Sequence, residues 1–279
     1  MNKSIRNIII FSVITVSGGW LGIWLNNITG NTAPPLQSLG ALVWLTTPAL
    51  SGFLLRALGG DGWQDAGFGL NLLSGSKWYL VALLVYPLAS LLTFALSALF
   101  GIVSTDGFAA QGLSAYLSAV GVLFVGSLMK NFFEEFAWRS YLTPRLEAAG
   151  VRPMVNHILV GILWMSWHLP YYYYYLDRST LESAITTSIP VFIFLGYLVM
   201  IPTSFLFGEL RLLSKSTWTV FLLHQVINAL SMPLLINGFI EVNGPLAPIF
   251  TPTNEWVIVS LLFGAVGLIL MKYRLRQVA

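Results

Sequence analysis

The chain has no cysteine. That excludes a disulfide framework, a thiolate nucleophile and any cysteine-ligated metal, and it leaves the redox compartment undetermined. Charge is scarce as well: Asp, Glu, Lys and Arg make up 9% of the 279 residues, against 56% hydrophobic ones. So little charge cannot cover the surface of a soluble domain of this length. No ten-residue alternation of apolar and polar positions marks a membrane barrel. No internal repeat is present, and the one low-complexity tract is Tyr171–Tyr175, which reads as an aromatic belt at the outer membrane interface. The basic residues are dispersed and not gathered into a patch, so nucleic acid is not a partner.

What the sequence does contain is apolar length. Blocks long enough to cross about 30 Å of hydrocarbon as helices fall at approximately 7–25, 36–56, 78–103, 113–134, 156–176, 183–207, 217–236 and 255–271. Backbone groups in lipid must be satisfied within the segment, so these blocks predict an all-α fold. The expected architecture is a polytopic membrane helical bundle of about eight transmembrane helices, forming a single integral-membrane domain over 1–279. Lys3 and Arg6 precede the first block, but Asn26, Asn27 and Pro34-Pro35 follow it where a signal peptide would have small residues, so it is expected to be an uncleaved anchor. With the N-terminus inside, the inner side collects Lys3, Arg6, Arg56, Lys77, Arg139, Arg145, Arg152, Arg211, Lys215, Lys272, Arg274 and Arg276, and the outer side only Arg178. The excess of positive charge places both termini in the cytoplasm. The loop 57–77, with Asp61, Trp63 and Asp65, reads as an interfacial connection.

Against this background the stretch KNFFEEFAWRSYLTPR at 130–145 is anomalous. Ionisable groups in a membrane cost about 2.5–3.5 kcal/mol each on insertion scales, so they pair and often mark a functional cavity. Glu135 and Arg139 stand at i,i+4 in the favourable order, and Lys130 precedes Glu134 by the same interval. A salt-bridged helix end near the headgroups would account for this cluster taken alone. Its position relative to the histidines argues for more. Gly150 and Pro153 predict a helical hairpin turning on the inner side, with a bend at Pro144. Glu134 and Glu135 precede that turn by about as many residues as His168 follows it, so all three come level at about 25 Å from it. His224 and Asn228, four residues apart on one face of the seventh block, lie about 10–17 Å from its inner end. The chain has only three histidines, and two of them converge on the carboxylates.

Such a set suits amide hydrolysis by activated water. A desolvated carboxylate acts as general base with a histidine sharing the proton work, while a second histidine and a carboxamide stabilise the oxyanion. No GxSxG or Ser-Lys arrangement offers a serine nucleophile, and Ser166 points away from His168 on a helix. Zinc is the rival within the same chemistry, held by Glu134, His168 and His224, although HExxH is absent. No cofactor is required if water is activated by the side chains alone.

These residues resemble the motifs of a known family, the CAAX protease and bacteriocin-processing membrane proteins (the Abi family), which include the type II CAAX prenyl endopeptidases. EEFAWR resembles its motif EExxxR, with Glu134, Glu135 and Arg139 at the matching positions. WMSWH, Trp164 to His168, resembles FxxxH, and HQVIN, His224 to Asn228, resembles HxxxN. Trp164 replaces the usual phenylalanine and is expected to keep its packing role, and Ser140 stands where glycine is common. The resemblance covers about 130–230, within a family-like catalytic core of about 113–236, and implies intramembrane proteolysis. By position, Glu134 and His168 would activate water, Glu135 would support the site and pair with Arg139, and His224 with Asn228 would form the oxyanion pocket. The family is often labelled as metalloproteases. The partners it implies are membrane lipid and a peptide or protein substrate, either lipidated at a CAAX box or bacteriocin-like. The alternative is a non-catalytic immunity or peptide-binding membrane protein of the same family.

Overall fold

The computed structural model describes residues 2–185, 187–251 and 256–278. Helices α1 (Lys3–Ile28) and α2 (Leu39–Ala57) form an antiparallel pair, followed by α3 (Leu72–Leu99). A two-residue strand β1 (Val103–Ser104) leads into α4 (Asp106–Gly126) and α5 (Leu128–Ala137). A π-helical turn over Trp138–Leu142 joins α5 to the short α6 (Thr143–Ala148). Then come α7 (Pro153–Pro170), a second π-helical turn at Tyr171–Tyr175, α8 (Arg178–Ala184), α9 (Ile189–Ser214) and α10 (Thr217–Ile236). Strand β2 (Glu241–Val242) pairs antiparallel with β1, and α11 (Ala247–Phe250) and α12 (Val257–Val278) complete the chain. The fold is an all-α polytopic bundle, and the protein is an integral membrane protein.

Among the described residues, seven helices are long and apolar enough to cross a membrane: α1, α2, α3, α4, α9, α10 and α12. The expected eighth span, 156–176, is α7, whose hydropathy is diluted by Asn156, His157, Ser166 and His168. Its polar groups are largely buried and bonded inside the bundle, where α7 packs on α1 and α9. The span 78–103 was expected too far along the chain and 183–207 too early. Helix α9 continues through Glu209 and Arg211, both buried. Their partners, not local hydropathy, permit this. Glu209 accepts from Arg274 (2.7 and 2.9 Å) and lies 2.8 Å from His157 Nε2, and Arg211 donates to the Asp65 carbonyl at 2.5 Å.

The expected hairpin is present, with Gly150 at φ +76° and α7 beginning at Pro153. Only glycine adopts that φ readily, so the turn is encoded at one position. The bend precedes Pro144: the wider π-helical turn absorbs the change of direction, and Pro144 sits in the first turn of α6, where its missing N–H costs nothing.

The loop after α2 is more than an interfacial connection. Arg56 is 2% exposed and reaches Asp65 and the Gly62 carbonyl at 2.6 Å and the Ser140 carbonyl at 2.5 Å. Asp61 accepts from Tyr141 at 2.7 Å and pairs with Arg145, which also holds Asp65. The loop thus ties α2, the π-helical turn and α9 together at the end of the bundle where charge collects. Tyr171–Tyr175 is likewise largely internal: Tyr171 stacks on Trp44, Tyr175 is buried and donates to the Gly19 carbonyl, and only Tyr173 faces outward.

Helices α1 and α2 meet backbone to backbone. A Cβ on Gly40 would lie 2.2 Å from the Gly22 carbonyl oxygen, the small-residue contact by which membrane helices approach closely. Gly40→Ala is therefore expected to destabilise the protein by about 1–3 kcal/mol. Thermal unfolding in detergent reads this, and an unchanged midpoint would contradict the close approach.

Candidate active site

Helix α5 is built inside out. Asn131, Glu134, Glu135 and the following Trp138 occupy i, i+3, i+4 and i+7 and are buried, whereas Phe132, Phe133 and Phe136 are only partly so. In lipid this is the stable arrangement, because the phenylalanines meet hydrocarbon and the polar stripe meets partners in the bundle. Glu134 is 2% and Glu135 1% exposed, and their neutralisation is divided among different neighbours.

Glu134 Oε1 lies 2.5 Å from Lys130 Nζ, and its Oε2 accepts from Trp164 Nε1 at 2.7 Å. His168 Nε2 stands 4.0 Å from the same Oε2. His168 Nδ1 is 2.9 Å from the Trp164 carbonyl, which can only accept. The N–H is therefore on Nδ1, and in the neutral ring the Nε2 lone pair faces Glu134. Glu135 Oε1 is 2.7 Å from His224 Nδ1 and 3.4 Å from Arg139 Nη1. The expected Glu135–Arg139 pair thus exists, but the histidine makes the shorter contact. The Arg139 guanidinium packs over two aromatic rings that touch each other, 3.9 Å from the Trp164 centroid and 4.6 Å from that of Phe207. Stacking of this kind holds a desolvated guanidinium that has few hydrogen-bond partners.

Glu134, His168, His224 and Asn228 line one cavity of about 70 Å³ together with Lys130, Trp164 and Tyr172. Glu135 lies behind His224, outside that lining. The cavity runs along α9 from Phe207 toward Phe192, away from the charged end. At about 10–15 Å³ per water it has room for several water molecules, whereas a peptide needs it to widen. Asn228 Nδ2 donates to Asn131 Oδ1 at 2.8 Å.

The five residues named from sequence, Glu134, Glu135, His168, His224 and Asn228, are thus brought together. Ser166 bonds the Ile162 carbonyl and Tyr197 away from the cavity. Three contributors escaped sequence reasoning. Trp164 packs as expected but also donates to Glu134, which phenylalanine cannot do. Asn131 and Gln225 lie behind Asn228. Their signal was helical spacing, since Asn131 shares a face with Glu135 and Gln225 follows His224. His157, the third histidine, belongs to the Glu209–Arg274 cluster and not to the site.

A metal ion bound to Glu134 would have to displace or sit beside the Lys130 ammonium. Among the described residues no group of three or more His, Asp or Glu is arranged to hold one.

A membrane helical bundle with paired buried carboxylates and two histidines on one cavity defines the class. Residues 116–230 match the model of the family described as Rce1-like, type II CAAX prenyl endopeptidase Rce1-like. The family resemblance read from the three motifs therefore holds over that segment, which contains every site residue named above. The match covers less than half of the 279 residues, and over that segment the chain is similar to CAAX-type intramembrane proteases. No curated protein matches the chain.

Arg139→Ala should cost about 3 kcal/mol, because it removes a buried partner of Glu135 and the cation packed over Trp164 and Phe207. Arg139→Lys should restore little, since an ammonium stacks and hydrogen-bonds differently. Thermal unfolding of both variants in detergent checks this, and a wild-type midpoint for Arg139→Ala would contradict it.

Proposed function

We propose that the protein is an intramembrane endopeptidase that hydrolyses a peptide bond with water activated by Glu134 and His168. One observation carries the reading: the 4.0 Å gap between His168 Nε2 and Glu134 Oε2, open to the cavity, in which both groups present lone pairs. A water there gives one proton to Glu134 while its second is held by His168, and its oxygen attacks the substrate carbonyl carbon. The π electrons of that carbonyl move to its oxygen, giving a tetrahedral oxyanion. Asn228 supplies one N–H to this oxyanion, and His224, with Nδ1 held against Glu135, supplies a second from Nε2 in its imidazolium form. Collapse breaks the C–N bond, and the proton taken by Glu134 passes to the leaving amine. The acid and amine products need no oxidant or second substrate.

Lys130 and Trp164 support this role by holding Glu134 in place. The same ammonium favours metal-free chemistry over the family's metalloprotease label. The excess of Lys and Arg at one end supports cytoplasmic termini. Along α10 the site then lies about 10–16 Å from the inner end, so cleavage falls within the membrane, in the half nearer the cytoplasm. The substrate is a membrane-associated peptide or protein, lipidated or bacteriocin-like.

Two measurements test the reading. New peptide termini should appear in cells expressing the wild type and be absent with Glu134→Gln at equal membrane abundance, as read by mass spectrometry. Identical termini with an intact phenotype would favour a non-catalytic immunity or peptide-binding protein. Cleavage by purified protein should also persist in a strong chelator, and loss of activity restored by added zinc would overturn the water-only mechanism.

A further inference from the structure

The Asn228 carboxamide can offer an oxyanion either an N–H or a repelling oxygen, and something must decide which. Behind the cavity three buried carboxamides form a chain. Gln225 Nε2 donates to the Phe124 carbonyl at 2.9 Å, Asn131 Nδ2 donates to Gln225 Oε1, and Asn228 Nδ2 donates to Asn131 Oδ1 at 2.8 Å. The Ser127 hydroxyl stands 3.1 Å from Gln225 Oε1 and 2.7 Å from the Leu123 carbonyl. Asn131 and Gln225 are 0% exposed and absent from the cavity lining, and Asn228 is its one member in contact with the cavity.

A main-chain carbonyl only accepts, so the amide nitrogen of Gln225 must face Phe124 and its oxygen must face Asn131. Asn131 must then turn its nitrogen to Gln225 and its oxygen to Asn228. Turning any one amide over would set two oxygens or two NH₂ groups against each other without water, at the full cost of unsatisfied buried groups. The polarity of the chain thus ends on Asn228 with its nitrogen committed: one N–H engages Asn131 and the other remains.

We infer that Asn131 and Gln225 are positioning residues, a relay anchored on the Phe124 carbonyl that orients the Asn228 amide as a hydrogen-bond donor to the reacting carbonyl oxygen. The inference rests on the proposed proteolytic reading of the site. Without the relay, Asn228 is free to turn its oxygen to the developing negative charge, so the loss falls on the chemical step and not on binding.

The test is a double-mutant cycle on the full-length protein in lipid vesicles, with short synthetic peptides, unmodified and farnesylated, as substrates. Asn131→Leu should lower kcat about 10-fold or more with KM unchanged, a loss bounded by the 10²–10³-fold typical of removing an oxyanion donor. In an Asn228→Ala background the same substitution should cost nothing further. Gln225→Met, which keeps side-chain length, should behave alike and guards against misfolding of the first variant. Full activity of Asn131→Leu or of Gln225→Met, beside an inactive Glu134→Gln, would overturn the relay and leave the protease reading standing. Equal losses with and without Asn228 would also overturn it, as a merely structural role predicts. Wild-type cleavage that survives Glu134→Gln would overturn the reading itself, and the relay with it.

Discussion

Two carboxylates side by side in an apolar bundle repel each other and are poorly solvated, and the surrounding structure answers that constraint. Glu134 and Glu135 point to different partners although they are neighbours on α5. Lys130 and Trp164 take the first, and His224 and Arg139 take the second. Lys130 lies on α5 itself and Arg139 in the turn that follows it, whereas Trp164 and His224 come from α7 and α10, so satisfying the pair also joins α5 to those helices. Arg139 belongs to both tasks, reaching Glu135 while its guanidinium packs over Trp164 of α7 and Phe207 of α9. Burial of charge thus organises the bundle as much as apolar packing does.

The remaining charge is handled the same way at one end of the molecule. Arg56, Asp61, Asp65 and Arg145 interlock the loop after α2 with the π-helical turn and α6, and Glu209 with His157 and Arg274 joins α7, α9 and α12. These clusters hold one end of the helices that carry the site. Helix α4 contrasts with them: none of its residues is buried, and it contains a non-helical Gly112 and ends at a break before α5.

Much of this was legible in the sequence because membrane insertion is a local, additive property. Apolar length located seven crossing helices, and helical rise alone brought Glu134, His168 and His224 to one depth. The failures share one cause. Helix α7 falls short of a membrane span by hydropathy, and α9 runs past its apolar block, because buried partners distant in sequence stabilise Asn156, His157, Glu209 and Arg211. The tyrosine run turned inward for a similar reason, since Trp44, far away in the chain, supplies the stacking surface.

The sequence by itself determined an all-α membrane bundle, the order of its helices, the hairpin at Gly150 and the set of polar residues that share a level. These follow from spacing and hydropathy, which depend on neighbours along the chain. Only the tertiary structure decided that His224 makes the shorter contact to Glu135, that Trp164 donates to Glu134, that His157 stands apart, and which way the Asn228 amide faces. Those are choices among partners 30 to 101 positions apart in the chain. They are settled by the cost of leaving any buried polar group unpaired, a condition no local pattern can express.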